Sequence, residues 1–118
     1  MEVRCLIVDD SPQFVAAASR LLELQGVQVV GVAATGAEAA ARASELRPDV
    51  ALVDIGLGEE SGFDVAALLS RIPVILISTR DEDDLGRPVA AGPAVGFLPK
   101  SGLSGAAIRR LLSGPGET

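Results

Sequence analysis

Five short apolar runs, each dominated by Val, Ile and Leu, recur along the chain: Val3 to Val8, Val27 to Val32, Val50 to Val53, Val74 to Ile77, and Val95 to Leu98. They are nearly continuous rather than alternating, the pattern of strands covered on both faces. Between them lie segments with helical punctuation. Ser11 is a candidate N-cap with Pro12 at the first helical position. Phe14, Ala18, Leu21, Leu22 and Gln25 follow at helical spacing, and Gly26 can end the helix. Thr35 and Glu38 form a capping-box pattern before an Ala-rich stretch that runs to Leu46, where Pro48 stops it. Ser61 and Asp64 repeat the pattern ahead of Val65 to Leu69. Leu103, Ala107, Ile108, Leu111 and Leu112 mark a last amphipathic helix, closed by Gly114-Pro115. Asp81 to Ala91 is the weak segment. Gly86 and Pro88 interrupt it, and Pro inside a helix costs about 3 kcal/mol, so a short, late-starting or mobile helix is expected there.

A β-α unit repeated five times implies a parallel sheet with helices on both faces, and right-handed crossovers leave few topologies. The fold predicted is α/β: a doubly wound, flavodoxin-like, five-stranded parallel sheet in the order 2-1-3-4-5, in three layers. Residues 1–113 form one domain, with 114–118 expected as a flexible tail or the start of a linker.

Composition narrows the chemistry. The 118 residues are 48% hydrophobic, enough for a core, and carry 10 Lys+Arg against 16 Asp+Glu for a net charge of −6. That balance argues against nucleic-acid or anionic-membrane binding by the chain itself. There is no His, which removes imidazole bases and His-built zinc sites. A single Cys, Cys5, makes no internal disulfide and reads as a small core hydrophobe. No apolar run approaches the roughly 20 residues of a membrane span, and a cytoplasmic setting is the simplest expectation.

Ligands of doubly wound sheets bind at the carboxyl ends of the strands, near the reversal of strand order. Asp9 and Asp10 follow the first strand, Asp54 the third, Ser78 and Thr79 the fourth, and Lys100 the fifth. With the first and third strands about 4.8 Å apart, Asp10 and Asp54 become neighbours. Clustered carboxylates repel, and a hard cation such as Mg²⁺ relieves them. Lys100 brings a point charge suited to a phosphoryl group, and Ser78 a hydroxyl. Acids, metal, hydroxyl and ammonium around one anion make a phosphoryl-transfer inventory. Asp54, at a rigid central strand end before a Gly-bearing loop, is the candidate nucleophile, with Asp9 and Asp10 better suited to the metal. Taken singly, each has a plainer reading: adjacent acids as a solvated loop, Asp54 as a turn cap, Lys100 as a surface lysine, Ser78 as a turn former, Phe97 as core. Their shared edge is what favours function. Arg80 to Asp84 reads as a solvated face or a helix start, and Arg109 and Arg110 as solvent-facing or meeting a partner.

Ile7-Val8-Asp9-Asp10-Ser11, Asp49 to Asp54, Ser61-Gly62-Phe63, Pro73 to Ser78 and Gly96-Phe97-Leu98-Pro99-Lys100 together resemble the receiver domain of bacterial response regulators, over residues 3–112. The resemblance implies a two-component phosphorelay switch. Asp54 would be phosphorylated by a sensor histidine kinase. Asp10, Asp54 and the Gly56 carbonyl would bind Mg²⁺ directly, with Asp9 acting through water. Ser78 and Lys100 would contact the phosphoryl group, and Phe97 would be the aromatic switch. The run from Leu98 to Ala107 looks most like receivers that precede a LuxR-type output, which implies a DNA-binding domain or promoter complex as partner. Pairing of receivers as homodimers is a further implication. The chain departs from the family pattern at Ser101, where Pro with a cis bond is common, at Gly58, where Pro is common, and at Thr79, where a smaller residue is common. The departures at Ser101 and Thr79, with the interrupted Asp81 to Ala91 helix, motivate a second reading: a pseudo-receiver, an interaction module that is not phosphorylated. A third, a Mg²⁺-dependent phosphohydrolase, lacks any insertion long enough for a water-excluding cap. The first reading is a switch, with at most self-catalysed phosphoryl transfer and autodephosphorylation.

Overall fold

The computed structural model describes residues 3–57, 60–69, 71–78 and 95–113. The expectations for Gly58, Thr79, the acidic run Arg80 to Asp84, the Asp81 to Ala91 helix and the 114–118 tail fall outside these residues. The elements in order are β1 (Val3–Val8), α1 (Pro12–Leu24), β2 (Val27–Ala33), α2 (Gly36–Leu46), β3 (Val50–Asp54), β4 (Gly56–Leu57), β5 (Glu60–Ser61), α3 (Gly62–Leu68), β6 (Val74–Ser78), β7 (Gly96–Pro99), a 3₁₀ turn (Lys100–Gly102) and α4 (Gly105–Ser113).

Five parallel strands form one sheet in the order β2-β1-β3-β6-β7, which is the predicted 2-1-3-4-5 when the five long strands are counted alone. The two remaining strands, β4 and β5, make a small antiparallel hairpin that the apolar pattern did not announce. Alternate side chains of the sheet build two cores. Leu6, Val8, Ala51, Val53, Val74 and Leu76 face α2 and α3. Cys5, Ile7, Val50, Leu52, Ile75 and Ile77 face α1 and α4, meeting Ala18, Leu22 and Ile108. The result is the three-layer sandwich expected of β-α repeats. Burial on both faces holds for β3, β6 and most of β1. It fails for β2 and β7, which among the described residues are the outermost strands and have a neighbour on one side to close their flanks but none on the other.

The helix ends follow local chemistry. Ser11 Oγ accepts from Phe14 N at 3.3 Å, with Pro12 opening the helix. Gly26 takes φ +83 directly after the α1 C-cap, a conformation that favours Gly. Thr35 Oγ1 accepts from Glu38 N at 3.1 Å. The returning Glu38 Oε1 accepts from Ala34 N at 2.8 Å, one residue earlier than a standard capping box. Arg47 ends α2 in the left-handed region, ahead of Pro48. The α1 and α4 layers are clasped together: Gly105 N donates to Gln25 Oε1, and Arg109 donates to Gln25 O at 2.9 Å. Arg109 is exposed, as expected, and its guanidinium also meets a partner within the chain. Among the described residues no helix is long and apolar enough to cross a membrane.

Candidate functional site

Strand register brings the polar strand-end residues together. Val8 lies opposite Val53, so Asp9 and Asp54 leave neighbouring strands in the same row. Asp54 lies opposite Ile77, one residue before Ser78. Ser78 lies opposite Pro99, one residue before Lys100. One carboxylate oxygen from each of Asp9, Asp10 and Asp54 comes within 4.8 Å of the others. Asp9 is only 2% exposed, Asp10 is exposed, and Asp54 is half-buried.

Lys100 enters from the fifth strand of the sheet. Its Nζ lies 2.8 Å from Asp9 Oδ2 and 3.5 Å from Asp54 Oδ2, with the lysine side chain 14% exposed. Asp9 Oδ2 has no hydrogen-bond partner of good angle, so its neutralisation rests on that ammonium. Asp9 Oδ1 accepts from Ser11 N at 2.9 Å. Asp54 Oδ1 accepts from Gly56 N at 3.3 Å. Burial first, and the Asp9 charge second, push the Asp54 carboxyl above its ordinary value, while the Lys100 charge and the Gly56 N–H pull it partway back.

The donor set fits a small hard cation. Octahedral Mg²⁺ with oxygens at about 2.1 Å spaces its ligands roughly 3 to 4.2 Å apart, so the three acids need only a modest contraction. A buried carboxylate oxygen with no good hydrogen bond is a second feature that such an ion would satisfy.

Of the other predicted residues, Gly56 sits exposed in β4 beside Asp54, and Ser78 is buried at the end of β6. Phe97 is half-buried and packs against the α2–α3 core. Phe97 pairs in register with Leu76, and Ser78 is two residues on, so Ser78 and Phe97 are on one face of adjacent strands. The Lys100–Ser101 peptide is trans, like every peptide bond among the described residues. Two neighbours escaped the reading of the sequence. The Phe14 ring centroid is 4.2 Å from Lys100 Nζ. Gly62 lies against the backbone of Asp54 and Ile55, and its N–H donates to Ile55 O at 2.6 Å. Phe14 read as the start of an apolar stripe. Gly62 stood in the sequence as part of the Ser61-Gly62-Phe63 motif at the start of a helix, with nothing to mark its close approach to Asp54.

Fold and pocket together define a doubly wound α/β domain that gathers acids and one lysine at the carboxyl edge of its sheet. The chain belongs to the response regulator receiver domain family, whose pattern it matches over residues 5–111. It is 41% identical over 91 residues to the transcriptional regulatory protein KdpE of Mycobacterium tuberculosis, covering 74% of this chain and 40% of KdpE. It is 32% identical over 103 residues to the response regulator GacA of Pseudomonas viridiflava, covering 83% of this chain and 48% of GacA. The chain therefore spans less than half the length of these curated relatives. Among solved structures, the signal receiver domain of a Mycobacterium tuberculosis response regulator designated NarL superposes with a TM-score of 0.80 at 34% identity, covering 96% of this chain and 98% of that one.

Proposed function

We propose that the domain is a phosphoacceptor switch that receives a phosphoryl group on Asp54 from the phosphohistidine of a sensor kinase. The observation that carries this reading is the bridge made by Lys100, 2.8 Å from Asp9 and 3.5 Å from Asp54, beside three converging carboxylates. In the transfer, an Asp54 carboxylate oxygen attacks phosphorus as the P–N bond of the donor breaks, and the imidazole leaves with the electron pair. The product is an acyl phosphate on Asp54. Lys100 meets the phosphoryl oxygens with a preplaced positive charge, and the hydroxyl of Ser78 can donate to one of them. Asp9, Asp10, Asp54 and the Gly56 carbonyl would hold Mg²⁺, which when bound neutralises charge on the acids and on the incoming phosphoryl group. Asp54 must be ionised to attack, and the Lys100 charge opposes the upward push of burial on its carboxyl.

Phosphorylation would draw Ser78 and Lys100 toward Asp54 and bias Phe97, which shares a face with Ser78. The change would reach the surface of β7 and α4. Such a surface suits an output domain, a promoter complex or a second receiver as partner, in a cytoplasmic setting. The net charge of −6 disfavours direct nucleic-acid contact by this chain. Incubation with a small phosphodonor and Mg²⁺ should add one phosphoryl group by intact mass, and the Asp54→Asn variant should gain none. Labelling that persists in that variant would sink the assignment. A chain that never gains mass yet still binds its partner would instead be a pseudo-receiver.

A further inference from the structure

We infer that Phe14 is a positioning residue for Lys100: its ring fixes the ammonium where a phosphoryl group bound at Asp54 would need it. This rests on the phosphoacceptor reading of Asp54. Lys100 is the only lysine in the chain. Its Nζ is held on two sides by carboxylates, Asp9 at 2.8 Å and Asp54 at 3.5 Å, and on a third by the Phe14 ring, 4.2 Å from the centroid. At that distance the negative face of the ring attracts an ammonium, and more strongly when water is excluded.

The ring is itself fixed by the acids that it helps to serve. Asp9 Oδ1 accepts from Ser11 N, Ser11 Oγ accepts from Phe14 N, the Phe14 ring covers Lys100 Nζ, and Lys100 Nζ returns to Asp9 Oδ2. This closed circuit ties the first turn of α1 to the end of β7. A flexible four-carbon stem would otherwise let the ammonium wander among the three acids and solvent. With the ring in place, the cation is held before the phosphodonor arrives, so less ordering remains to be done during transfer. Phe14 touches neither the phosphoryl group nor the metal in this arrangement, and it acts only through Lys100.

Because there is one lysine, selective ¹³C,¹⁵N-lysine labelling yields a single side-chain signal. In the wild-type protein the ε-protons should show an upfield ring-current shift. Phe14→Leu keeps an apolar side chain on α1 but removes the ring; it should lose that shift and slow phosphorylation by a small phosphodonor with Mg²⁺ about fivefold. Phe14→Tyr keeps a ring and should restore both. The inference is overturned if Phe14→Leu leaves the lysine signal unmoved, if it leaves the rate unchanged, or if Phe14→Tyr is as slow as Phe14→Leu. Failure of the wild-type chain to take a phosphoryl group overturns the Asp54 reading and the kinetic part with it, while the lysine spectrum still decides whether the ring holds the ammonium.

Discussion

Gly62 packs so closely on Asp54 that a methyl group on its Cα would strike the Asp54 carbonyl oxygen and press on the Ile55 Cα. Backbone atoms cannot swing aside as a long side chain can. Gly62→Ala should therefore destabilise the fold by about 2 kcal/mol, the range of overpacked cores, and lower the urea midpoint. Any relief must come by moving the end of β3, so the same variant should also slow phosphoryl transfer to Asp54. Urea unfolding together with a phosphodonor time course checks both. A variant of normal stability would show that β3 and the hairpin can part without cost.

Asp54 is held in its folded setting at a cost. Its folded pKa is raised above the ordinary 3.8, chiefly by burial and then by Asp9. Across the window from 3.8 up to the raised value, the unfolded chain gives up its proton first. The Asp54 contribution to stability therefore falls as pH rises through that window, and the loss persists above it. Asp54→Asn removes the ionised group and should raise stability, and with it the Tm, near neutral pH in Mg²⁺-free buffer. Added Mg²⁺ should raise the wild-type Tm and do little for the variant. Thermal melts across a pH series, with and without Mg²⁺, read both effects.

Much of the scaffold was legible because parallel strands buried on both faces leave an unbroken apolar signature, as in Val50 to Val53 and Val74 to Ile77. The pocket was legible for a related reason: once strand order is known, residues such as Asp10, Asp54 and Lys100 have a common edge. What escaped was anything depending on close approach. The β4–β5 hairpin has two residues per strand, too few for a periodic signal. Phe14 lies 86 positions from Lys100, and a ring at the start of an apolar helical stripe looks like core until the sheet brings it to the strand end. The clasp between Gln25 and Arg109 spans 84 positions and joins polar groups on two helices that no local spacing relates. The trans peptide after Lys100 accords with Ser101, since a cis bond to a non-proline costs about 3 kcal/mol.

Cys5 offers a direct measure of how firmly the centre of the sheet is closed. It is fully buried in β1, and burial pushes its thiol up to about 12. Only the thiolate attacks a disulfide reagent, so at about pH 8 the native protein should react only through opening of the sheet. As the single thiol in the chain, it should give no fast phase in native buffer and one full equivalent under denaturing conditions. A thiol-disulfide exchange time course checks this, and fast native labelling would mean that β1 separates from its neighbours far more readily than its burial suggests.

Removing the Lys100 charge should expose how Asp9 is tolerated. Asp9 is almost wholly buried, and its Oδ2 depends on that ammonium. Lys100→Met keeps much of the aliphatic stem against Phe14 but leaves the carboxylate buried without a counter-charge. Unpairing one partner of a buried ion pair commonly costs about 3 kcal/mol or more; the partial exposure of Lys100 and Asp54 places this variant nearer 2 kcal/mol. The loss should be largest in Mg²⁺-free buffer. A cation bound by Asp9, Asp10 and Asp54 would then neutralise the orphaned charge, so Mg²⁺ should stabilise the variant more than it stabilises the wild type. Phosphoryl transfer should nonetheless stay slow, because stability can be restored by any positive charge among the acids, while transfer needs one aimed at the phosphoryl oxygens. Chemical denaturation with and without Mg²⁺ separates the two roles. Equal Mg²⁺ stabilisation of both proteins would show that the ammonium and the metal do not share the acids.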